Sequence, residues 1–410
     1  MATLQPASGD SMDAHLCIIC GPLGGVDSVL NVLLFIPLGI GLALSDIPFR
    51  RTCLVACALS LTVETTQLFF ITGRDATVGD VVTNTLGAAV GFGLARSARF
   101  WLRPATGIAA FLSLGWAALW VLIQILSAFA LAPSNPGSIF YGELAPELGN
   151  FDLFRGRVMA ATIGGVAIRD AHLSEADLAG HQFRGRDLVA VTVAPSYAPE
   201  GIAPILRLVD AEQREIVLLA QHGREMIFAF HTGAADLRLR PPIFGLRGAF
   251  PLAPTSGAQR RADSLMLAGR YTREVILSAQ TPTETSGSQI PVTISLGWTL
   301  VLPAQWFIEG TVNERILSWV WLAFLVLPIG YWAARAMISR VPETVVGSYA
   351  TIWAAVAVFV AAGLGVTPIA FGLSPTPIGD WLAAVGGLML GVGLARRFRG
   401  INQADLSGRD

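Results

Sequence analysis

The amino-acid sequence predicts an α-helical polytopic membrane protein of about seven spans with an inserted extracytoplasmic all-β sandwich, a jelly-roll domain. Two observations support this fold class. Hydrophobic residues make up 53% of the chain and charged residues only 14%, and the mean hydropathy is +0.58. The middle of the chain nevertheless carries charges at the density of a soluble domain, and its apolar residues there form short alternating runs.

The membrane spans are predicted from long apolar runs, several of which approach the roughly 20 residues that a bilayer core requires. These runs cover residues 28–45, 52–72, 79–95, 106–131, 316–338, 346–370 and 379–396. They divide the chain into an N-terminal membrane domain (1–134), a β-sandwich (135–310), a C-terminal membrane domain (311–400) and a tail (401–410).

Arginines predict the orientation, because basic residues accumulate in cytoplasmic loops. They follow the first, third, fifth and last spans, at Arg50, Arg51, Arg96, Arg99, Arg103, Arg335, Arg340, Arg396, Arg397 and Arg399. This pattern predicts a protein of the cytoplasmic membrane with its N-terminus and β-domain outside and its C-terminus in the cytoplasm. Only Arg74 departs from it. Membrane lipids are then partners, whereas the net charge of −1 predicts no nucleic-acid partner.

The segment between the fourth and fifth spans is predicted to be a sandwich because Gly, Pro, Asp and Ser punctuate its alternating runs at close spacing. Its strands include RVMAATIGGVAI, EIVLLAQHG, DLRLR, EVILSAQ and IPVTISLGWTLVL. Their order resembles the concanavalin-like, laminin-G-like jelly rolls over most of 150–305, and the resemblance implies glycan binding. A spacer or docking domain is the alternative. Glu175 and Asp177 begin a glucanase-like spacing, but Gly180 breaks it, so hydrolysis is not predicted.

Polar residues in the second and third spans mark the candidate site. Glu64 and Gln67 share one helical face at i, i+3, and Asp80 and Asn84 share another at i, i+4. Arg74 lies in the loop between them. An ionisable residue inside an apolar span is costly and usually faces a protein interior or a water-filled cavity. The sequence therefore places the functional centre in this hairpin.

The same region resembles the VanZ-like family over residues 27–95. The resemblance is carried by Asn31, Phe35, Pro37, Gly39, Glu64, Gln67, Gly73, Arg74, Asp80, Asn84, Gly87 and Gly91. The family is named for a protein linked to glycopeptide-antibiotic tolerance, and the resemblance implies a bacterial inner-membrane location. Membership implies no general biochemical activity. Members usually have a further N-terminal span, where this chain offers only the short apolar stretch 15–25.

Helix geometry predicts that these polar side chains converge. Glu64 lies roughly 10 Å from the outer end of its span at 1.5 Å per residue, and Asn31 and Asn84 also lie in the outer part of the bilayer. Glu64 then pairs with Arg74 or shares a proton with Asp80. The alternatives are structural: Asp80 caps its helix, and Asn84 and Gln67 bond neighbouring helices.

Four glycines are predicted to be helix-packing residues. Gly87 and Gly91 form a small-xxx-small seam, and Gly387 and Gly391 occupy the same offsets in the last span. The segments DVVTNTLGAAVGFGLAR and DWLAAVGGLMLGVGLAR share an aspartate and a GxGLAR end, but Ala384 replaces the asparagine. This pattern indicates either a duplication that lost its polar residue or a chance similarity of Ala/Gly-rich helices.

Three functions remain open from the sequence. The first is an envelope protein that binds an anionic, lipid-linked glycan precursor at the outer leaflet, with Arg74 on the phosphate. The second is a membrane-embedded hydrolase or transferase that uses Glu64 or Asp80 as general base and Arg74 as anion stabiliser. The third is a small-molecule transporter. No cofactor, metal site or nucleophile–base pair is predicted, and the Cys17–Cys20 pair is interpreted as apolar packing rather than redox chemistry.

Overall fold

A computed structural model provides the architecture. It describes residues 19, 21–70, 77–134, 140–149, 151–168, 187–195, 197–251, 264–337 and 346–407. Arg74, Cys17, Cys20, Glu175, Asp177 and Gly180 lie outside the described residues.

The described membrane region is built from long helices joined by short connections. Its elements are α1 (Gly24–Leu44), α2 (Phe49–Phe70), α3 (Val78–Arg96), the short α4 (Ala98–Leu102), α5 (Thr106–Leu131), α7 (Val312–Ala336), α8 (Val346–Ala361), a π-helical turn (Ala362–Val366), α9 (Thr367–Ala370) and α10 (Ile378–Ser407). Six of the spans formed by these elements are long and apolar enough to cross a bilayer. The helix α2 has 22 residues but is not among those six, so a seventh span stays a prediction.

Within the described residues, the insert forms two six-stranded sheets. Its strands are β1 (Phe140–Leu144), β2 (Arg157–Ile163), β3 (Val166–Ile168), β4 (Val189–Ala194), β5 (Ile202–Asp210), β6 (Glu215–His222), β7 (Glu225–Phe230), β8 (Ile243–Leu246), β9 (Leu265–Tyr271), β10 (Glu274–Gln280), β11 (Thr285–Pro291) and β12 (Phe307–Ile308). The sheet orders are β1-β5-β6-β7-β8-β12 and β11-β10-β9-β4-β2-β3. All pairs are antiparallel except β8–β12. A β-domain is therefore present, as predicted.

Two predicted strands are wrong. DLRLR contains the end of a short helix, α6 (Gly233–Asp236), and a turn. The end of IPVTISLGWTLVL is a 3₁₀-helix, Ile294–Val301. That 3₁₀-helix is buried because it packs between the sandwich and the membrane helices: Trp298 donates a hydrogen bond to Ser318 of α7 at 3.0 Å. Burial on every side produces a continuous apolar run, which sequence periodicity cannot assign to one kind of element.

One apolar core joins the sandwich to the membrane helices. The same cluster of buried side chains contains Leu219 and Phe244 from the sandwich and Trp120, Leu322 and Val360 from the helices. Backbone bonds reinforce this junction at several helix ends. The Ser374 amide donates a hydrogen bond to the Val292 carbonyl at 3.0 Å, and the Gly25 amide donates one to the Arg238 carbonyl at 3.0 Å. The insert is therefore seated on the start of α1, the end of α5, the start of α7 and the connection before α10.

A hydrogen-bond chain fastens the end of α5 to the sandwich. Ser134 Oγ lies 2.7 Å from His231 Nδ1 and donates to Asp236 Oδ2 at 3.2 Å. The Ser134 amide also donates to the His231 carbonyl at 3.0 Å. A serine nucleophile needs a histidine that an acid orients through its other ring nitrogen, whereas here the carboxylate contacts the serine itself. The chain therefore acts as a structural fastening.

The histidine of this fastening predicts a pH dependence of stability. Burial lowers the pKa of His231 below its ordinary value, while the charges of Asp236 and Asp210 oppose that shift and Arg214 supports it. The unfolded chain then binds more protons than the folded chain, so stability falls as the pH drops through the ordinary histidine range. We expect the midpoint temperature of thermal unfolding in detergent to be lower at pH 5.5 than at pH 7.5 in the parent protein. The decrease should be smaller in His231→Asn, which lacks the titrating imidazole. Equal falls in both proteins would contradict this assignment.

Candidate functional site

The first helices form a three-helix unit whose polar side chains meet at one end. At the start of α3, Thr77 caps the helix and its hydroxyl accepts from the Asp80 amide at 3.2 Å. The Asp80 carboxylate in turn accepts from the Thr77 hydroxyl at 3.0 Å and from the Asn31 side-chain amide of α1 at 2.6 Å. Asp80 therefore supports the Thr77 cap and also links α1 to α3, and each of its carboxylate oxygens accepts one hydrogen bond. The alternative in which Asp80 itself caps the helix is wrong, because Thr77 is the capping residue.

A second polar link joins α2 to α3 one turn deeper. The buried Asn84 donates to the Ser60 hydroxyl at 2.9 Å, and its own carbonyl oxygen is buried without a hydrogen-bond partner among the described residues. Because α2 and α3 run antiparallel, one turn from Ser60 towards the connecting loop leads to Glu64, and one turn from Asn84 leads to Asp80. Glu64 therefore lies at the level of Asp80.

Glu64 occupies the buried face of α2. Its exposed fraction is 8%, and it follows Thr52, Ala56 and Ser60 on that face at intervals of four residues. Gln67 is half-buried one turn further towards the loop. Burial of a carboxylate costs desolvation energy, which hydrogen bonds or a cation must offset.

This polar cluster (Asn31, Glu64, Asp80 and Asn84) lies beneath the sandwich. The Gly25 amide donates to the Arg238 carbonyl of the insert. Asn31 follows Gly25 by six residues, a distance of about 9 Å along the helix. At the other end of the same helices, Arg96 pairs with Asp46 at 3.2 Å. The cluster therefore sits at the sandwich end of the three-helix unit, and the arginines sit at the opposite end.

Glycines allow α1 and α3 to approach at backbone distance. A Cβ atom at Gly87 would collide with the Val32 carbonyl oxygen, one at Gly91 with that of Ile36, and one at Gly39 with that of Ala88. The close approach brings the Asn31 amide within reach of Asp80. These contacts support packing roles for Gly87 and Gly91.

Residues 5–103 match the family model described as VanZ/LLP1. The match supports VanZ-like membership for this quarter of the chain, and it contains the whole polar cluster. No curated protein and no solved structure matches the chain. The concanavalin-like resemblance of the insert therefore rests on the strand pattern and the two sheets alone.

A second helix pair repeats the packing of the VanZ-like domain. A Cβ atom at Gly387 would collide with the Ala323 carbonyl oxygen, one at Gly391 with that of Leu327, and one at Gly330 with that of Leu388. Each contact has its counterpart in the α1–α3 pair at the same offsets, and Pro328 lies inside α7 as Pro37 lies inside α1. The sequence similarity noted above concerned α3 and α10 alone. The matching glycine contacts now include their partners α1 and α7, which favours a duplication of the helix pair.

The repeat keeps the aspartate but not its surroundings. Asp80 and Asp380 are both the third residue of their helix, but Asp380 accepts from the Trp319 indole at 3.1 Å. When α7 is aligned with α1 at their prolines, Leu322 corresponds to Asn31. In the other helix of the pair, the buried Ala384 corresponds to Asn84. The polar cluster is therefore specific to the VanZ-like domain.

Proposed function

We propose that the protein is a cell-envelope membrane protein whose VanZ-like domain binds an anionic, lipid-linked glycan precursor at the membrane face that carries the sandwich. The observation that supports this proposal most is the buried Glu64 at the level of the Asn31–Asp80 pair. Three helices contribute polar groups to one depth, close to the end of the unit, where the headgroup of a lipid-linked ligand would enter. The Asn84 and Gln67 amides add hydrogen-bonding groups to the same region.

The charge of the ligand is inferred from Arg74. This residue lies between α2 and α3 in the sequence, outside the described residues. Arginine pairs with phosphate through parallel hydrogen bonds, and we assign Arg74 to the phosphate of the ligand. Ligand-binding roles are thus proposed for Asn31, Glu64, Gln67, Arg74, Asp80 and Asn84.

The topology proposed for this function has seven spans, with the sandwich outside the cytoplasmic membrane. The arginine-rich ends of α3 and α7 lie away from the sandwich, and arginine-rich ends are typically cytoplasmic. The sandwich then faces the compartment that contains envelope glycans and would contact the glycan part of the ligand or a protein partner. A role in glycopeptide-antibiotic tolerance stays a prediction from the family resemblance.

An enzymatic role is the second candidate: a membrane-embedded hydrolase or transferase that acts on a lipid-linked substrate. The Asp80 carboxylate accepts hydrogen bonds from Asn31 and Thr77, and Glu64 is buried at the same level. Either carboxylate would act as general base, and Arg74 would stabilise the developing negative charge. Among the described residues, no cluster of His, Cys, Asp and Glu has the geometry of a metal site.

The proposal is tested by the replacement of Glu64 with glutamine, which keeps the shape and removes the charge. Native mass spectrometry of the detergent-extracted protein should show a co-purified polyprenyl-linked species in the parent protein and a roughly tenfold smaller fraction in Glu64→Gln, because charge-assisted bonds to the ligand are lost. Thr65→Val is the matched control, since Thr65 is the exposed neighbour on the same helix and its hydroxyl donates to the Leu61 carbonyl of the preceding turn.

Thermal unfolding of the same samples separates binding from folding. The proposal requires Glu64→Gln to unfold within a few degrees of the parent protein while it loses the bound species. If Glu64→Gln unfolds early and its folded fraction still carries that species, Glu64 only holds the helices together. A parent protein that carries no polyprenyl-linked species and gains none on incubation with a polyprenyl phosphate would reject the ligand class.

A further inference from the structure

The membrane face opposite the sandwich carries a second structured site, formed by the short helix α4. Its position against α7 is fixed by two aromatic side chains. Trp332 donates to the Trp101 carbonyl at 2.7 Å, and the Tyr331 hydroxyl donates to the Leu102 carbonyl. Trp101 in turn donates to the Leu94 carbonyl of α3 at 2.9 Å. The helix α4 is therefore held between α3 and α7 at this end of the bundle.

An open groove runs along α4 and the start of α5. Its volume is about 680 Å³, and its walls include Arg99, Phe100, Leu102, Arg103 and Ile108. Phe100 is 54% exposed and Leu102 is 42% exposed. The groove thus combines apolar side chains, which suit acyl chains, with two exposed guanidinium groups, which suit a phosphate headgroup.

The charge in this groove is not neutralised by the described part of the protein. In those residues, no carboxylate lies within ion-pair distance of Arg99 or Arg103, whereas the neighbouring Arg96 pairs with Asp46. Arg335 adds a third cation at the end of α7. Its Nε atom is buried and has no hydrogen-bond partner in the same part of the chain. Arg335 follows Tyr331, which contacts α4, by one helical turn.

We propose that this groove binds the phosphate headgroup of an anionic phospholipid, with Arg99 and Arg103 on the phosphate and Phe100 and Leu102 against an acyl chain. Arginine forms paired hydrogen bonds with phosphate oxygens, and basic pockets between membrane helices bind anionic headgroups. The site is independent of the polar cluster, since it lies at the other end of the helices.

The test compares two double variants of the full-length protein in detergent. Phosphatidylglycerol is titrated against phosphatidylcholine with the same acyl chains, and native mass spectrometry measures the bound lipid. The parent protein should bind phosphatidylglycerol preferentially, and Arg99→Gln/Arg103→Gln should bind it roughly tenfold more weakly, with no change for phosphatidylcholine. Arg99→Lys/Arg103→Lys, which keeps the charges, should retain part of the preference and show that the fold is intact.

The matched control is Arg396→Gln/Arg397→Gln, which removes two exposed arginines of α10 at the same membrane face. This double variant should keep the preference for phosphatidylglycerol. An equal loss in both Gln double variants would mean that general surface charge attracts the lipid, and the proposal would be wrong. Inorganic phosphate should not displace the lipid at equal concentration, and equal competition would assign the groove to free phosphate instead.

Discussion

Replacement of Gly91 by leucine is expected to prevent the VanZ-like domain from folding. A Cβ atom at this position would collide with the Ile36 carbonyl oxygen, which belongs to the backbone and cannot rotate away. Overpacking of side chains costs about 1–3 kcal/mol, and a collision with backbone forces the whole helix to move. The yield of monodisperse protein after detergent extraction should fall severalfold, and the remaining protein should unfold at a lower temperature.

The control for Gly91 is its neighbour Gly93, where a Cβ atom would meet nothing within 4 Å. Gly93→Leu has the same intrinsic effect on helix formation and should leave yield and thermal unfolding nearly unchanged. The second helix pair allows the same comparison, because Gly391 is tightly packed and Gly393 is open. Equal losses in Gly91→Leu and Gly93→Leu would show that helix propensity rather than close approach is responsible.

Replacement of Asp380 by alanine should destabilise the protein without any change in ligand binding. The side chain is 3% exposed and accepts from the Trp319 indole at 3.1 Å. Its removal takes away the acceptor of the part-buried Trp319 indole N–H, and the loss of such a hydrogen bond costs about 1 kcal/mol. We expect a clearly lower midpoint of thermal unfolding in detergent, and an unchanged fraction of polyprenyl-linked ligand in the protein that remains folded.

Asp80→Ala is the matched variant in the VanZ-like domain. It should reduce the bound fraction, because Asp80 orients Asn31 and belongs to the polar cluster. Trp319→Phe removes the indole N–H but keeps the aromatic ring, and should reproduce part of the Asp380→Ala effect on stability. If Asp380→Ala reduces ligand binding as much as Asp80→Ala does, both helix pairs contain a site and the functional division between them is wrong.

The membrane class, the VanZ-like segment and the presence of a β-domain were all predictable from the sequence. Long apolar runs carry this information because a bilayer requires about 20 apolar residues per span. The spacing of Glu64 and Gln67, and of Asp80 and Asn84, also predicted which side chains share a helical face, since helical periodicity is local. The ligand and the seventh span remain predictions.

Only the tertiary structure decided how distant segments combine. The hydrogen bond between Asn31 and Asp80 depends on the close packing of α1 against α3. Their backbones are in contact at Gly39, Gly87 and Gly91, where a side chain would keep the helices apart. The Ser134–His231–Asp236 chain and the buried 3₁₀-helix were missed because their neighbours are about 100 residues away or belong to another element. Sequence periodicity reports the environment of one segment, whereas these contacts depend on the packing of several.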